Sequence, residues 1–250
     1  MIKKKVKIIS ASIIAIIILA IQIKSYAAKQ SQKHDIFANK NVSRITDRDY
    51  LKIIQVNETK DIYYSKTNKP ALEIIEYGSF TCYHCAEFFQ DNYDKIIAQY
   101  GDTVRFTHRS VATDKLSLAA TKAIKCSRDS RENLLKYINL LYKTQSTWII
   151  DSEEKTSAKI LSLLKSAGVN TEYAKECMAQ PELEMDLIHE MEFNVKNLGI
   201  KGTPMIIVGD IRINGTISFE ALKNIIDFKI SEIQSSETSS NADERYLSHN

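Results

Sequence analysis

Two cysteines at the junction of a strand and a helix constrain this chain more than any other feature. Leu72-Glu73-Ile74-Ile75-Glu76-Tyr77 is an apolar run short enough to be a buried strand. Gly78-Ser79-Phe80-Thr81 follows, a turn with helix-capping residues. Cys82-Tyr83-His84-Cys85 then opens a helical pattern carried by Phe88, Phe89, Tyr93 and Ile97. A thiol at a helix start faces unpaired backbone N–H groups and the positive end of the helix dipole. Both favour the thiolate, the species that attacks disulfides.

The N-terminus bears on the compartment. Lys3, Lys4, Lys5 and Lys7 precede the apolar stretch Ile8 to Ile23, 16 residues long. Ser25-Tyr26-Ala27 places small residues at the minus-three and minus-one positions of a cleavage site before Ala28. This is the pattern of a signal peptide. The other reading is an uncut anchor, although a spanning helix needs roughly 20 apolar residues. Either reading sends the rest of the chain out of the cytoplasm, where disulfides persist. The expected location is periplasmic, with a membrane attachment if the leader stays.

All five basic residues of the first 27 are lysines, and no acid stands among them. The remainder holds 29 basic residues (34 less 5) against 31 acidic ones. The basic balance of the whole chain therefore belongs to the leader, and no nucleic-acid partner is expected. Seven glycines and three prolines in 250 residues suit a helix-rich body with few long loops.

The elements can be ordered from pattern alone. Strands are expected at 61–65, 71–77 and 103–111, with a helix over 82–100 closed by Gly101. From Lys115 to Leu198 the signals are helical throughout, with apolar stripes such as Leu134, Leu135, Ile138 and Leu141. Gly168 and Gly199 stop two of these helices. Strands at 205–208 and 211–214 form a hairpin, and Ser218 caps a last helix. The expected organisation is a leader over 1–27 and a flexible lead-in over 28–58. An α/β body occupies 59–111 and 199–234. An all-helical insertion fills 112–198, and 235–250 is a disordered tail.

This order resembles the thioredoxin fold with a helical insertion, the arrangement of the DsbA family of exported disulfide oxidoreductases. Cys82-Tyr83-His84-Cys85 matches that family's Cys-x-His-Cys, and Gly202-Thr203-Pro204 matches the Gly-Thr-Pro before the hairpin. Glu76, six residues before Cys82, matches the buried acid of thioredoxin-like folds. Tyr83 departs from the proline of the best-known members. The resemblance implies an enzyme that introduces disulfides into exported proteins. Cys82 would be its nucleophile and Cys85 its resolving thiol. It implies a cis Thr203–Pro204 bond that sets the Thr203 backbone against Cys82 for substrate pairing. It further implies thiol-containing exported clients and reoxidation by a quinone-linked membrane protein of the DsbB kind. Neither cofactor nor metal is implied, and the protein is expected to be a monomer.

Each residue also has a plainer reading. Glu76 either faces water on an edge strand or is buried in a central one, where it could relay a proton to Cys85. His84 is either an ordinary surface residue or an imidazole that stabilises the Cys82 thiolate. Pro204 could be a trans proline at a strand start. Cys126 and Cys177 could be free buried thiols. Their even count in an oxidising compartment favours a structural bridge. The Cys-x-x-Cys lacks two further ligands at metal spacing, which disfavours zinc. The alternatives for function are a reductase or isomerase working in the reduced state, a protein dedicated to one client, and a non-catalytic exported binding module.

Overall fold

In the computed structural model the backbone is described for residues 2–247, and side chains for 16–238 apart from 29, 34 and 237. Residue 1 of the leader and residues 248–250 of the tail lie outside the described residues. The chain divides into two units, 1–40 and 41–250.

The first unit is a single helix, α1 (Ile2–Ala38). It runs without a break from the leader into residues 28–38, which are therefore not the flexible segment expected there. The stretch contains no glycine or proline, and Ala27, Ala28, Gln30 and Lys33 are good helix formers. Among the described residues no helix is long and apolar enough to cross a membrane.

The second unit begins with β1 (Val42–Arg44), α2 (Arg48–Ile53) and β2 (Ile62–Tyr64). The chain then forms β3 (Leu72–Gly78), α3 (Tyr83–Phe88), a π turn (Phe89–Tyr93), α4 (Asp94–Tyr100) and β4 (Val104–Ser110). The helical block is α5 (Lys115–Lys125), α6 (Arg131–Lys143), α7 (Gln145–Trp148), α8 (Glu153–Ser166), α9 (Thr171–Met178) and α10 (Pro181–Leu198). β5 (Met205–Val208), β6 (Ile211–Asn214) and α11 (Phe219–Leu247) complete the unit.

The strands form one sheet in the order β1-β6-β5-β3-β4-β2. β3 pairs parallel with β4 and antiparallel with β5, so both of its edges are used. Alternation along β3 separates two layers. Ile75 and Tyr77 join Ile45, Ile54, Val111, Leu198, Ile200, Met205 and Ile207 in one apolar cluster. Glu76 pairs in register with His108, and Ile74 with Phe106. Phe106 and His108 belong to an aromatic cluster with Phe80, Phe89, Tyr93 and Tyr142.

Residues 41–58 also differ from the expected lead-in. β1 adds to the sheet edge beside β6, and Asp47 caps α2 by accepting the N–H of Asp49 at 2.8 Å. Ile45 and Ile54 are buried in the core. A three-residue strand and a six-residue helix are too short to show a period in sequence, and only packing reveals them. At the other end α11 continues to Leu247, so 235–247 is helical rather than disordered. Polar residues there hid the continuity, but no glycine or proline breaks it.

The expected helix over 82–100 is present with a π turn in its middle. Asn92 is buried there and donates its side-chain amide to Phe88 O at 2.9 Å. The buried face then carries Ile96, fully enclosed, rather than Ile97. In the helical block Asp114, Ser130, Ser152 and Asn170 each cap the helix they precede. Gly199 ends α10 in the left-handed region at φ 57°, a conformation that favours glycine.

Cys126, just after α5, and Cys177 in α9 form a disulfide with Cα atoms 5.8 Å apart and a sequence separation of 51. Closing such a loop stabilises by at most about 4 kcal/mol in the chain-entropy account. Replacing both cysteines by alanine should lower the unfolding free energy by about 2–4 kcal/mol. Urea denaturation of the two forms measures it, and equal midpoints would show that the bridge carries no stability.

Candidate active site

The site is built where β3 ends and α3 begins. Cys82 is the N-cap of α3 and its Sγ accepts the N–H of Cys85 at 3.4 Å. Cys82 N–H donates to Ser79 O at 3.0 Å, which closes the turn. The loop is fastened from the α5 side. Ser117 Oγ receives the Phe80 N–H at 3.0 Å and lies 2.9 Å from Ser79 Oγ, and Thr81 Oγ1 donates to Asp114. Gln145 reaches in from α7 and donates to Phe80 O at 2.7 Å and Cys82 O at 3.0 Å. The helical block thus holds the cysteine loop by side-chain hydrogen bonds.

The two thiols are unbridged and their surroundings differ. Cys82 is partly exposed, whereas Cys85 is wholly buried. Hydrogen bonding from the Cys85 thiol, then from Thr203 and from the backbone N–H groups of Cys85 and His84, lowers the Cys82 pKa to about 5 against partial burial. Burial pushes the Cys85 thiol far up, helped by the Cys82 and Glu76 charges. Cys85 Sγ accepts the N–H of Ser79 at 3.4 Å.

Thr203 and Pro204 stand across from this pair, joined by a cis peptide bond. As a thiol, Cys82 donates to Thr203 O at 3.4 Å. The hairpin thereby places Thr203 against Cys82 across 121 residues of sequence.

His84 is placed differently from the imidazole reading. Its ring is exposed and its Nδ1 lies 3.0 Å from Glu87 Oε2, one helical turn on. What His84 presents to Cys82 is its backbone N–H. The reason is geometric: residues three apart on a helix are neighbours, so the ring meets Glu87. Tyr83 is 66% exposed beside it and its ring touches the His84 ring edge-on.

Glu76 is wholly buried on β3, and its Oε2 is 2.8 Å from His108 Nδ1. Burial raises its pKa, and the nearby His108 partly opposes that. Gly78 is required here. A Cβ at that position would stand 2.5 Å from Glu76 Oε1 and 2.6 Å from Tyr142 Oη. Sequence reasoning missed His108, Tyr142 and Gln145. A signal for His108 was present, since two parallel strands of matched length set it opposite Glu76. Tyr142 and Gln145 carry no such signal, because they arrive from the helical block.

The thioredoxin family model matches residues 58–228. The chain belongs to the thioredoxin family. Solved structures of the DsbA type share its fold. Alpha-DsbA1 of Wolbachia pipientis superposes with a TM-score of 0.66 at 18% identity, covering 75% of this chain and 98% of that one. A periplasmic thioredoxin-like protein of Salmonella enterica superposes with a TM-score of 0.57 at 17% identity, covering 74% and 98%. In sequence, a Rickettsia bellii protein named as a protein-disulfide oxidoreductase is 24% identical over 180 residues, 71% of this chain. The chain spans 67% of that relative's length and 56% of a Rickettsia felis relative of the same name. This member of the family thus combines a thioredoxin-like sheet with a helical block inserted between β4 and β5.

The Cys82 thiolate ties stability to pH. A folded pKa near 5 against an ordinary value of 9.0 is a depressed one, so the reduced protein gains stability that is complete above about pH 9 and lost as pH falls through 5. The oxidised protein has no such group. The reduced form should therefore lose stability relative to the oxidised form between pH 9 and pH 4. Parallel denaturation of both forms at several pH values measures it, and a pH-independent difference would reject the thiolate. The thiolate absorbance of the reduced protein should titrate with a midpoint near 5.

Proposed function

We propose that this chain is an exported thiol:disulfide oxidoreductase that introduces disulfides into other exported proteins through the Cys82–Cys85 couple. The observation that carries the proposal is the contrast between the two thiols. Cys82 is reachable and favours the thiolate; Cys85 is enclosed and favours the thiol. That contrast suits a nucleophile and a resolving thiol. The export part rests on the leader pattern, and a neighbour in fold is described as periplasmic.

In the proposed cycle the protein starts as the Cys82–Cys85 disulfide. A client thiolate attacks Cys82 Sγ, and the electron pair of the broken S–S bond leaves on Cys85. Glu76 supplies the proton that makes Cys85 a neutral thiol. The client's second thiolate then attacks its own sulfur in the mixed disulfide and Cys82 leaves. The client has lost two electrons and two protons. The enzyme holds the electrons as one thiol and one thiolate; both client protons go to solvent, and Glu76 takes one back from solvent to replace the proton it gave to Cys85. The extended backbone of the client would pair beside Thr203, whose carbonyl stands at Cys82. Its clients would be thiol-containing exported proteins, met by a monomer. Reoxidation would need a membrane partner that passes electrons to a quinone, as a DsbB-like protein does.

The oxidising direction follows from the thiolate. Stabilising the reduced form makes the disulfide the stronger oxidant. The couple should have a reduction potential well above the roughly −270 mV of thioredoxin. Equilibration with glutathione measures it. A value at or below that of thioredoxin would favour the reductase or isomerase reading instead.

A further inference from the structure

Glu76 has two faces. Its Oε2 meets His108 Nδ1 at 2.8 Å, and the two side chains are 0% and 1% exposed. Its Oε1 has no protein hydrogen-bond partner and lies over Gly78, which Tyr142 Oη also faces. The Tyr142 hydroxyl is likewise without a protein partner. Ser79, the next residue, gives its N–H to Cys85 Sγ. Oε1 therefore lies toward the cysteine loop and Oε2 toward His108.

The second nitrogen of His108 leads elsewhere. Nε2 is 3.4 Å from Ser110 Oγ. His108 and Ser110 line a cavity of about 20 Å³ whose walls include Asp61, Lys125 and Glu190. One water needs roughly 10–15 Å³, so the cavity has room for one. Glu190 is exposed and Lys125 half-buried, so the cavity reaches the surface.

We propose that His108 is the positioning residue through which Glu76 regains its proton, by a route from the cavity past Ser110. The proposal rests on the oxidoreductase reading and deepens it. When the Cys82–Cys85 bond breaks, the Glu76 proton passes to the Cys85 sulfur. The carboxylate takes the proton from His108 Nδ1, and Nε2 takes one from water at the cavity. One proton thus moves from solvent to Cys85, and no further oxidant or reductant takes part. An imidazole suits this task because it accepts on one nitrogen while releasing from the other. The charged and titratable groups around it are few. Glu76 on β3 is in direct contact. Asp61 before β2 is engaged by Arg109 at 2.8 Å. Lys125 on α5 and Glu190 on α10 stand at the cavity. The Tyr142 ring of α6 lies 5.9 Å away, its hydroxyl kept protonated by burial.

The test is single-turnover oxidation of a two-cysteine peptide by the full oxidised protein between about pH 4 and pH 9, the range that spans imidazole titration. His108→Asn keeps an N–H donor toward Glu76 but cannot pass a proton. It should slow the reaction about tenfold or more at neutral pH and change the shape of the pH profile. Cys82 alkylation in the reduced variant should keep its midpoint near 5. Ser110→Ala should slow the reaction less, with the same change of profile. A folded His108→Asn protein whose profile superimposes on that of the wild type overturns the proposal. If the variant does not fold, nitrogen NMR of the imidazoles in the wild-type protein decides. A His108 ring whose protonation responds to pH differently in the oxidised and reduced forms supports the route. A ring that keeps one protonation state across that range in both forms overturns it. Failure of the wild type to oxidise the peptide would count against the oxidoreductase reading, while the NMR outcome still judges His108.

Discussion

The parallel pairing of β3 with β4 is the constraint on which the active end of the molecule depends. It sets Glu76 beside His108 and Gly78 beside Ser110. It also ends both strands at one level, where Val111 donates its N–H to Gly78 O at 2.8 Å. The chain leaves β3 there and turns through Ser79 to Thr81 into α3. A slip of one residue would carry Glu76 to the opposite face and into the apolar cluster around Ile75 and Tyr77.

That register is held from both sides. On one face Tyr77 gives its hydroxyl to an ion pair, where Arg109 Nη1 donates to Tyr77 Oη at 2.6 Å and Nη2 to Asp61 at 2.8 Å. Breaking either partner would leave a buried charge alone, a cost of roughly 3–5 kcal/mol. On the other face the rings of Phe80, Phe89, Tyr142 and His108 pack together. His108 is therefore both a packed ring and the hydrogen-bond partner of the buried acid.

The chemistry depends on a gradient of burial across a few residues. Tyr83 and His84 are exposed, Cys82 is intermediate, and Cys85 and Glu76 are enclosed. Backbone N–H groups at the helix start can stabilise charge only on the first sulfur, because the second is carried inward by one turn. Gln145 and Ser117 keep the loop in place from the helical block, so the insertion is part of the site's framework rather than an appendage.

Much of this could be read from the residues in order. The strand–turn–helix around Cys82, the hairpin after Pro204 and the capped helices of the insertion are local patterns, and local patterns follow from backbone preference and apolar period. The short elements β1 and α2 were hidden because their stabilisation comes from Ile45 and Ile54 entering a distant core. The continuation of α11 was hidden by its polar composition. Thr203 against Cys82 was expected from the family resemblance, but the other contacts that give the site its character were decided by tertiary structure. Glu76 meets His108 across 32 residues, a pairing set by strand register. His84, adjacent in sequence to Cys85, turns its ring away to Glu87. Which side chains share a proton or a sulfur depends on strand register and on the packing of the helical block, and neither leaves a period in the sequence.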